Sequence, residues 1–320
     1  MRLLVTGGAG FIGSHFVRTA VSEELGQVRV LDKLTYAGNL ANLRPVANQI
    51  EVLVGDICDP QTVAAAMVGV DQVVHFAAES HVDRSITSAA EFVRTNVAGT
   101  QVLLDAARDA NVGTFLQVST DEVYGSITNG SWPETDPLDP NSPYAASKAS
   151  ADLLALAYHR TYDMDVRITR CSNNYGPYQN IEKLVPLFTT RLLDSRSVPL
   201  YGDGQNIRDW LHVDDHCRGL RLVLEHGQPG QIYNLGGNTE LTNKELTSRI
   251  LEALGHGWDL VRYVTDRPAH DRRYSVDWTK AAEQLGYHPT ISFEQGLGDT
   301  IDWYRQNRSW WSEQLPAVRS

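Results

Sequence analysis

The sequence predicts an α/β fold, a doubly wound parallel sheet with a smaller C-terminal α/β lobe. Three observations predict it. Short apolar runs alternate with helical stretches from Arg2 to Arg170, the rhythm of strand–helix–strand units whose strands lie parallel under helices on both faces. The first run ends in glycines, Gly7-Gly8-Ala9-Gly10-Phe11-Ile12-Gly13, and passes straight into a helical pattern. After Asn173 the alternation gives way to a less regular succession of helices and loops.

The chain has 320 residues, 42% hydrophobic and 21% charged, which are ordinary values for a globular protein with real cores. That length suits two domains, or one large domain with an elaborated end. The expected division is 1–173, rejoined by 210–235, and 174–320. A net charge of -11 argues against a nucleic-acid partner, which would need a basic surface. Cys58, Cys171 and Cys217 lie far apart and match no metal or redox spacing, so free thiols and no metal are expected. No apolar stretch approaches the roughly 20 residues of a membrane span, and the N-terminal run is too short for a signal-peptide core. The expectation is a cytoplasmic protein with no membrane partner.

The elements follow in order. Strands are expected at 2–6, 28–31, 50–54, 73–78, 114–119, 166–170 and 232–234, from their apolar runs and flanking turn residues. Helices are expected at 14–25, 62–67, 144–162, 182–193, 242–254, 279–285 and 293–307. Residues 85–110 read as one long helical stretch interrupted by Gly99, either a core element or an oligomer face. The Pro-, Asp-, Asn- and Gly-rich 127–143 reads as a loop over the site, 171–178 as turns, and 199–204 as a loop. The tail from Trp310 shows no pattern and is docked or disordered.

The glycines fit two templates, Gly8-x-Gly10-x-x-Gly13 and Gly7-x-x-Gly10-x-x-Gly13. Either permits a tight turn, close approach of backbone to a pyrophosphate, and an anion on a helix N-terminus. Asp32 closes the next strand at close to the ~20-residue interval expected of the carboxylate that binds the adenosine ribose. A carboxylate there accepts from a free 2′-hydroxyl and repels a 2′-phosphate, so NAD is expected over NADP. This makes the first domain Rossmann-type. The cofactor residues are expected to be Gly7, Gly10, Phe11, Ile12, Gly13, Asp32, Asp56, Ile57, Ala77 and Ala78. Asp56 suits the adenine edge, and the small Ala77 and Ala78 let a dinucleotide lie close.

The densest chemistry runs from Thr120 to Lys148. Thr120, Asp121 and Glu122 close a strand at its carboxyl end, where ligands bind in this architecture. Tyr144 and Lys148 sit at i and i+4 on one helix face. A phenol of pKa ~10 is a poor base, but a neighbouring ammonium and a cationic nicotinamide favour the phenolate.

With the glycine turn, Asp32 and Tyr144-x-x-x-Lys148, the chain resembles the extended short-chain dehydrogenase/reductase family. The strings TDEVYG, AAESHVDRSI, SNNYGPYQ, EKLVPL, LYGDGQNIRDWLHVDDH and HDRRYSVD resemble its nucleotide-sugar 4,6-dehydratases, and the likeness extends to about Tyr304. The resemblance implies an NAD-dependent lyase acting on a nucleotide-diphosphate glucose, dTDP-glucose first, by C4 oxidation, loss of water across C5 and C6, and hydride return to C6. Tyr144 is then the base at the C4 hydroxyl, Lys148 its partner on the nicotinamide ribose, and Thr120 a hydrogen-bond partner of the reacting oxygen. Glu122 is implied as the base at C5 and Asp121 as the acid at C6. Arg208, Arg267 and His270 are implied for the diphosphate, Asn243 and Tyr274 beside them, and Ser80 and Asn173 for the sugar. Lys183, Leu184, Pro199 and Tyr201 complete the implied substrate site, and the family habit implies a homodimer through 85–110 and 144–162. Two alternatives remain: a nucleotide-sugar 4-epimerase, which needs only Thr120, Tyr144 and Lys148, and a non-catalytic NAD sensor of the same fold.

Overall fold

Strand β1 (Arg2–Thr6) is the centre from which the chain winds in both directions. The computed structural model describes residues 1–314. β1 is followed by α1 (Phe11–Ser22), β2 (Gln27–Asp32), a 3-10 segment over Leu40–Gln49, β3 (Ile50–Val54), α2 (Pro60–Ala66) and β4 (Gln72–His75). Next come α3 (Val82–Thr87), α4 (Ala90–Phe92), a π-helical stretch Val93–Gly99, α5 (Thr100–Asp109) and β5 (Thr114–Thr120). A 3-10 turn over Asp121–Tyr124 and a long loop lead to α6 (Pro143–Tyr162) and β6 (Val166–Cys171).

The second half comprises β7 (Asn173–Tyr175), α7 (Leu184–Leu193), β8 (Val198–Tyr201), β9 (Ile207–His212), α8 (Val213–His226) and β10 (Ile232–Leu235). It continues with β11 (Glu240–Thr242), α9 (Asn243–Leu254), β12 (Val261–Val264), α10 (Thr279–Leu285), α11 (Phe293–Gln306) and α12 (Arg308–Ser312).

Seven strands form one sheet in the order β10-β6-β5-β4-β1-β2-β3, and every pairing in it is parallel. Alternate residues of β1 feed two cores. Leu3 and Val5 pack with Phe16 and Val17 of α1 and Leu220 and Val223 of α8. Leu4 packs with Val63 of α2, Leu103 and Leu104 of α5 and Ala155 of α6. A sheet buried on both faces needs such uninterrupted apolar strands. β2 and β4 flank β1 on opposite sides, so the crevice where a doubly wound sheet binds ligands opens beyond Thr6. A three-stranded sheet β11-β9-β7, a two-stranded pair β12-β8 and a core around Phe188, Leu246 and Leu297 form the remainder.

Several expectations need correction. The stretch 85–110 is not one helix: α3 starts at Val82 and stops at Ser88 (φ -151°, ψ 89°), and the chain restarts into the π-helical stretch. That stretch turns Asn96 inward, where its side chain bonds both the N–H and C=O of Glu79 and the Ser147 hydroxyl. β7 stands where turns were expected, and β8 where a loop was. Pro199 argued against a strand, but β8 belongs to a two-stranded pair, which leaves Pro199 a side needing no N–H. β4 ends at His75, so Ala77 and Ala78 lie in the loop beyond it. Trp311 is buried in α12, so the tail is docked at its start; residues 315–320 lie outside the described residues.

Candidate active site

A cavity of about 300 Å³ opens at the carboxyl ends of the sheet strands, walled on its far side by Asn173, Asn174 and the segment Gln179–Lys183. Gly7, Gly10, Phe11, Ile12 and Gly13 line it; Gly8 does not. Gly8 instead packs on Val30, whose methyl would lie 2.8 Å from an added Cβ, so the Gly7–Gly10–Gly13 template is the one the fold uses. Gly7 turns the chain with φ +70°, and a Cβ on Gly13 would sit 2.3 Å from the Gly7 carbonyl. Gly10 differs: its added Cβ would meet only carbonyl oxygens, at 3.3 and 4.0 Å, on the cavity wall. α1 has no side-chain cap, so its first amides are left for an anion. This cradle fits the pyrophosphate of NAD.

Asp32 is buried, and its carboxylate accepts from the Ala9 and Leu34 N–H groups, at 2.9 and 2.8 Å. Burial raises its pKa while those two bonds oppose the rise. It thus braces the glycine turn as well as lining the cavity. Asp56, Ile57, Ala77 and Ala78 line the same wall. Asp56 is tied to Lys33 and Arg94 at 2.9 and 3.0 Å. Sequence reasoning missed Thr35, Tyr36, Ala37 and Gly38, which follow Asp32 along the cavity edge, and Thr95 from the π-helical stretch. At Gly38 an added Cβ would lie 2.7 Å from the Asp32 carboxylate, so the loop passes close over that carboxylate.

Thr120, Asp121, Glu122, Tyr144 and Lys148 all line this cavity. β5 delivers Thr120, whose hydroxyl donates to Asp121 and accepts from the Glu122 N–H, both at 3.3 Å. Gly125 (φ +78°) ends the turn where any Cβ would strike the Asp139 carbonyl. Ser142 caps α6 through the Ala145 N–H at 3.1 Å, with Pro143 at the first helical position. That start fixes Tyr144 in the first turn, edge-on to Phe92. One turn later Lys148 donates to the Val118 carbonyl at 2.7 Å.

Burial, then the neighbouring Glu122 and Asp209 carboxylates, push Asp121 well above the usual carboxylate range. Burial also raises Glu122, but Arg267, Arg208 and Lys183 pull it back. Both carboxyls are raised, Asp121 well above its usual range, the direction that suits a proton donor. Tyr144 departs from expectation. Burial and the Glu122 carboxylate raise its phenol, the nearby Thr120 hydroxyl opposes the rise, and Lys148 does not reverse that balance. Burial lowers Lys148, with the buried Asp152 holding it up.

Of the expected substrate residues, Ser80, Asn173 and Lys183 line the cavity, and Lys183 donates to the Ser80 carbonyl at 2.9 Å. Leu184, Pro199, Tyr201, Arg208, Asn243, Arg267, His270 and Tyr274 do not, and several of them hold contacts with residues outside the lining. Arg267 pairs with Asp83 at 3.0 Å, and Tyr201 donates to the same carboxylate at 3.2 Å. Arg208 stacks over the Tyr274 ring, 4.3 Å from its centroid. His270 pairs with Asp266 at 2.6 Å, and the Asn243 N–H donates to the Asn206 carbonyl, whose side chain reaches the His270 and Asp271 carbonyls.

Residues 4–300 match the model of the GDP-mannose 4,6 dehydratase family. A dTDP-glucose 4,6-dehydratase of Streptomyces antibioticus is 61% identical over 97% of this chain and 94% of its own length. DesIV, a dTDP-glucose 4,6-dehydratase from Streptomyces venezuelae solved with NAD bound, superposes with a TM-score of 0.96 at 60% identity, covering 98% of this chain and 100% of that one. A UDP-glucose 4-epimerase of Thermotoga maritima shares the fold at a TM-score of 0.91 but only 32% identity, over 96% of this chain and 100% of its own. The chain belongs to the family of nucleotide-sugar 4,6-dehydratases, and within it to the dTDP-glucose 4,6-dehydratases.

Proposed function

We propose that the protein is an NAD-dependent dTDP-glucose 4,6-dehydratase, a hydro-lyase that yields dTDP-4-keto-6-deoxyglucose. The observation that carries this is the adjacent carboxyl pair, buried Asp121 and half-buried Glu122, lining one cavity with Thr120 and Tyr144. An epimerase needs no such pair.

Bound NAD supplies the acceptor for hydride from the sugar C4, returns it at C6, and as a cation favours the Tyr144 phenolate that the bare site disfavours. Tyr144 takes the proton of the C4 hydroxyl, and Thr120 hydrogen-bonds that oxygen. The C4 ketone makes the C5 proton acidic, and Glu122 removes it as the C6 hydroxyl leaves with the Asp121 proton. Return of the C5 proton from Glu122 and of hydride to C6 leaves the reaction redox-neutral, one water lost. Arg208, Arg267 and His270 serve the diphosphate, with Lys183, Leu184, Pro199, Tyr201, Asn243 and Tyr274 around it, and Ser80 and Asn173 serve the sugar. The three cations that act on Glu122 supply local positive charge in an acidic protein.

We further propose a cytoplasmic homodimer. No helix among the described residues is long and apolar enough to cross a membrane. Exposed Val93 beside α4, with Leu153 and Tyr162 on α6, supports pairing through the helices on that face.

Glu122→Gln tests the assignment. Oxidation at C4 should proceed and elimination stop, so reduced nicotinamide absorbance accumulates on the enzyme with dTDP-glucose. Normal turnover without that absorbance would remove Glu122 from its role.

A further inference from the structure

The C-terminal aromatic segment touches the cofactor turn through a partly buried chain of hydrogen bonds that the proposed reaction does not use. Trp310 of α12 donates its indole N–H to the Asn42 side-chain carbonyl at 2.9 Å. The Asn42 amide in turn donates to the Ala9 carbonyl at 2.9 Å, beside the Asn39 N–H, which donates to the same oxygen. The Ala9 N–H donates to Asp32 at 2.9 Å, closing the chain at the carboxylate expected to hold the adenosine ribose. Asn42 is buried, and its own carbonyl accepts from Arg18 at 2.7 Å.

The same segment reaches the other wall of the cavity. Trp310 and Trp303 pack against Tyr178, and Arg18 lies over the Tyr178 ring, 4.2 Å from its centroid. Tyr178 holds φ +67° immediately before Gln179 and Asn180, which line the cavity. The Tyr304 hydroxyl donates to the Gln179 carbonyl, and the Trp311 indole donates to the Tyr304 carbonyl at 2.8 Å.

We infer that Trp310, acting through Asn42, is a positioning residue for NAD: it fixes Ala9 in the glycine turn and so the Asp32 carboxylate. Residues remote in sequence thereby set how long the cofactor stays bound. The inference rests on the assignment of the glycine turn to NAD. A buried hydrogen bond contributes on the order of a five-fold change in an equilibrium.

The test measures NAD release from the holoenzyme during exchange with labelled NAD, alongside KM for dTDP-glucose. Trp310→Phe keeps the aromatic packing and removes the donor; it should speed NAD release about five-fold and leave KM for the sugar nucleotide unchanged. Trp303→Phe disturbs the same aromatic cluster without touching the chain of bonds and should release NAD at the wild-type rate. Equal acceleration in both variants, or none in Trp310→Phe, would overturn the inference in favour of a purely packing role. Wild-type protein that retains no NAD would overturn the underlying assignment instead, so the two failures are distinguishable.

Discussion

Thr120, Asp121 and Glu122 are three consecutive side chains with three different environments, and the proposed mechanism turns on their order. In the proposed role of acid Asp121 must be protonated, and its pKa is raised, so activity should be lost as pH climbs through that raised value. Glu122 must be ionised, so activity should also be lost as pH falls through its own raised value. The kcat/KM profile is expected to be a bell, and Asp121→Asn should lower kcat by about 10²–10⁴-fold and abolish the alkaline limb. Linkage gives a second sign. A carboxyl whose folded pKa lies above its unfolded value contributes stability at low pH that is lost as pH rises through the folded value. Asp121→Asn should therefore raise the melting temperature at alkaline pH while destroying activity; a fall would show that the ionised carboxylate is the stabilising form.

At the scale of elements, the β1–α1 turn separates a glycine kept for the cofactor from one kept for the fold. Gly10→Ala places a methyl on the cavity wall with its nearest neighbour at 3.3 Å. It should lower NAD affinity at least ten-fold, a loss of about 1.4 kcal/mol, with little change in apo stability. Gly13→Ala drives a methyl against the Gly7 carbonyl and should destabilise the apoprotein by about 1–3 kcal/mol. Titration with NAD and urea unfolding distinguish the two; the reverse pattern would mean that Gly10 serves the turn alone.

This turn was legible because strand, glycine spacing and Asp32 are local features of one βαβ unit. So was the parallel sheet, whose strands are buried on both faces and read as apolar runs. The second half of the chain was less legible. β7, β11 and β12 are three or four residues long, and Asn173-Asn174-Tyr175 has turn-forming composition that only pairing with β9 turns into a strand. The π-helical stretch was invisible for a similar reason: its shape depends on Asn96 meeting Glu79 and Ser147, contacts with other elements. Thr35 to Gly38 were missed because a loop without periodicity gains its place only from what it borders. The raised phenol of Tyr144 follows from burial among carboxylates, which spacing alone did not reveal.

Across the whole molecule, burial of neutral imidazoles links stability to pH. His75 bonds Thr6 of β1 and Thr100 of α5, and His216 of α8 bonds Asn174 of β7. Burial lowers both from 6.5 to about 3. The unfolded chain therefore binds protons that the folded one refuses, and stability present above pH 6.5 is lost as pH falls toward 3. The expected loss is roughly 1.4 kcal/mol per histidine for each pH unit within that window, measurable by urea unfolding at neutral and mildly acid pH. Stability unchanged over that interval would contradict it.

The same whole-molecule view sets the central claim, because a UDP-glucose 4-epimerase shares the architecture, while the proposed reaction is told apart by Asp121 and Glu122. The most direct measurement is the mass of the product formed from dTDP-glucose by the purified holoenzyme. A nucleotide sugar lighter by one water, formed without net reduction of NAD, is the predicted result; a product of unchanged mass would contradict the account.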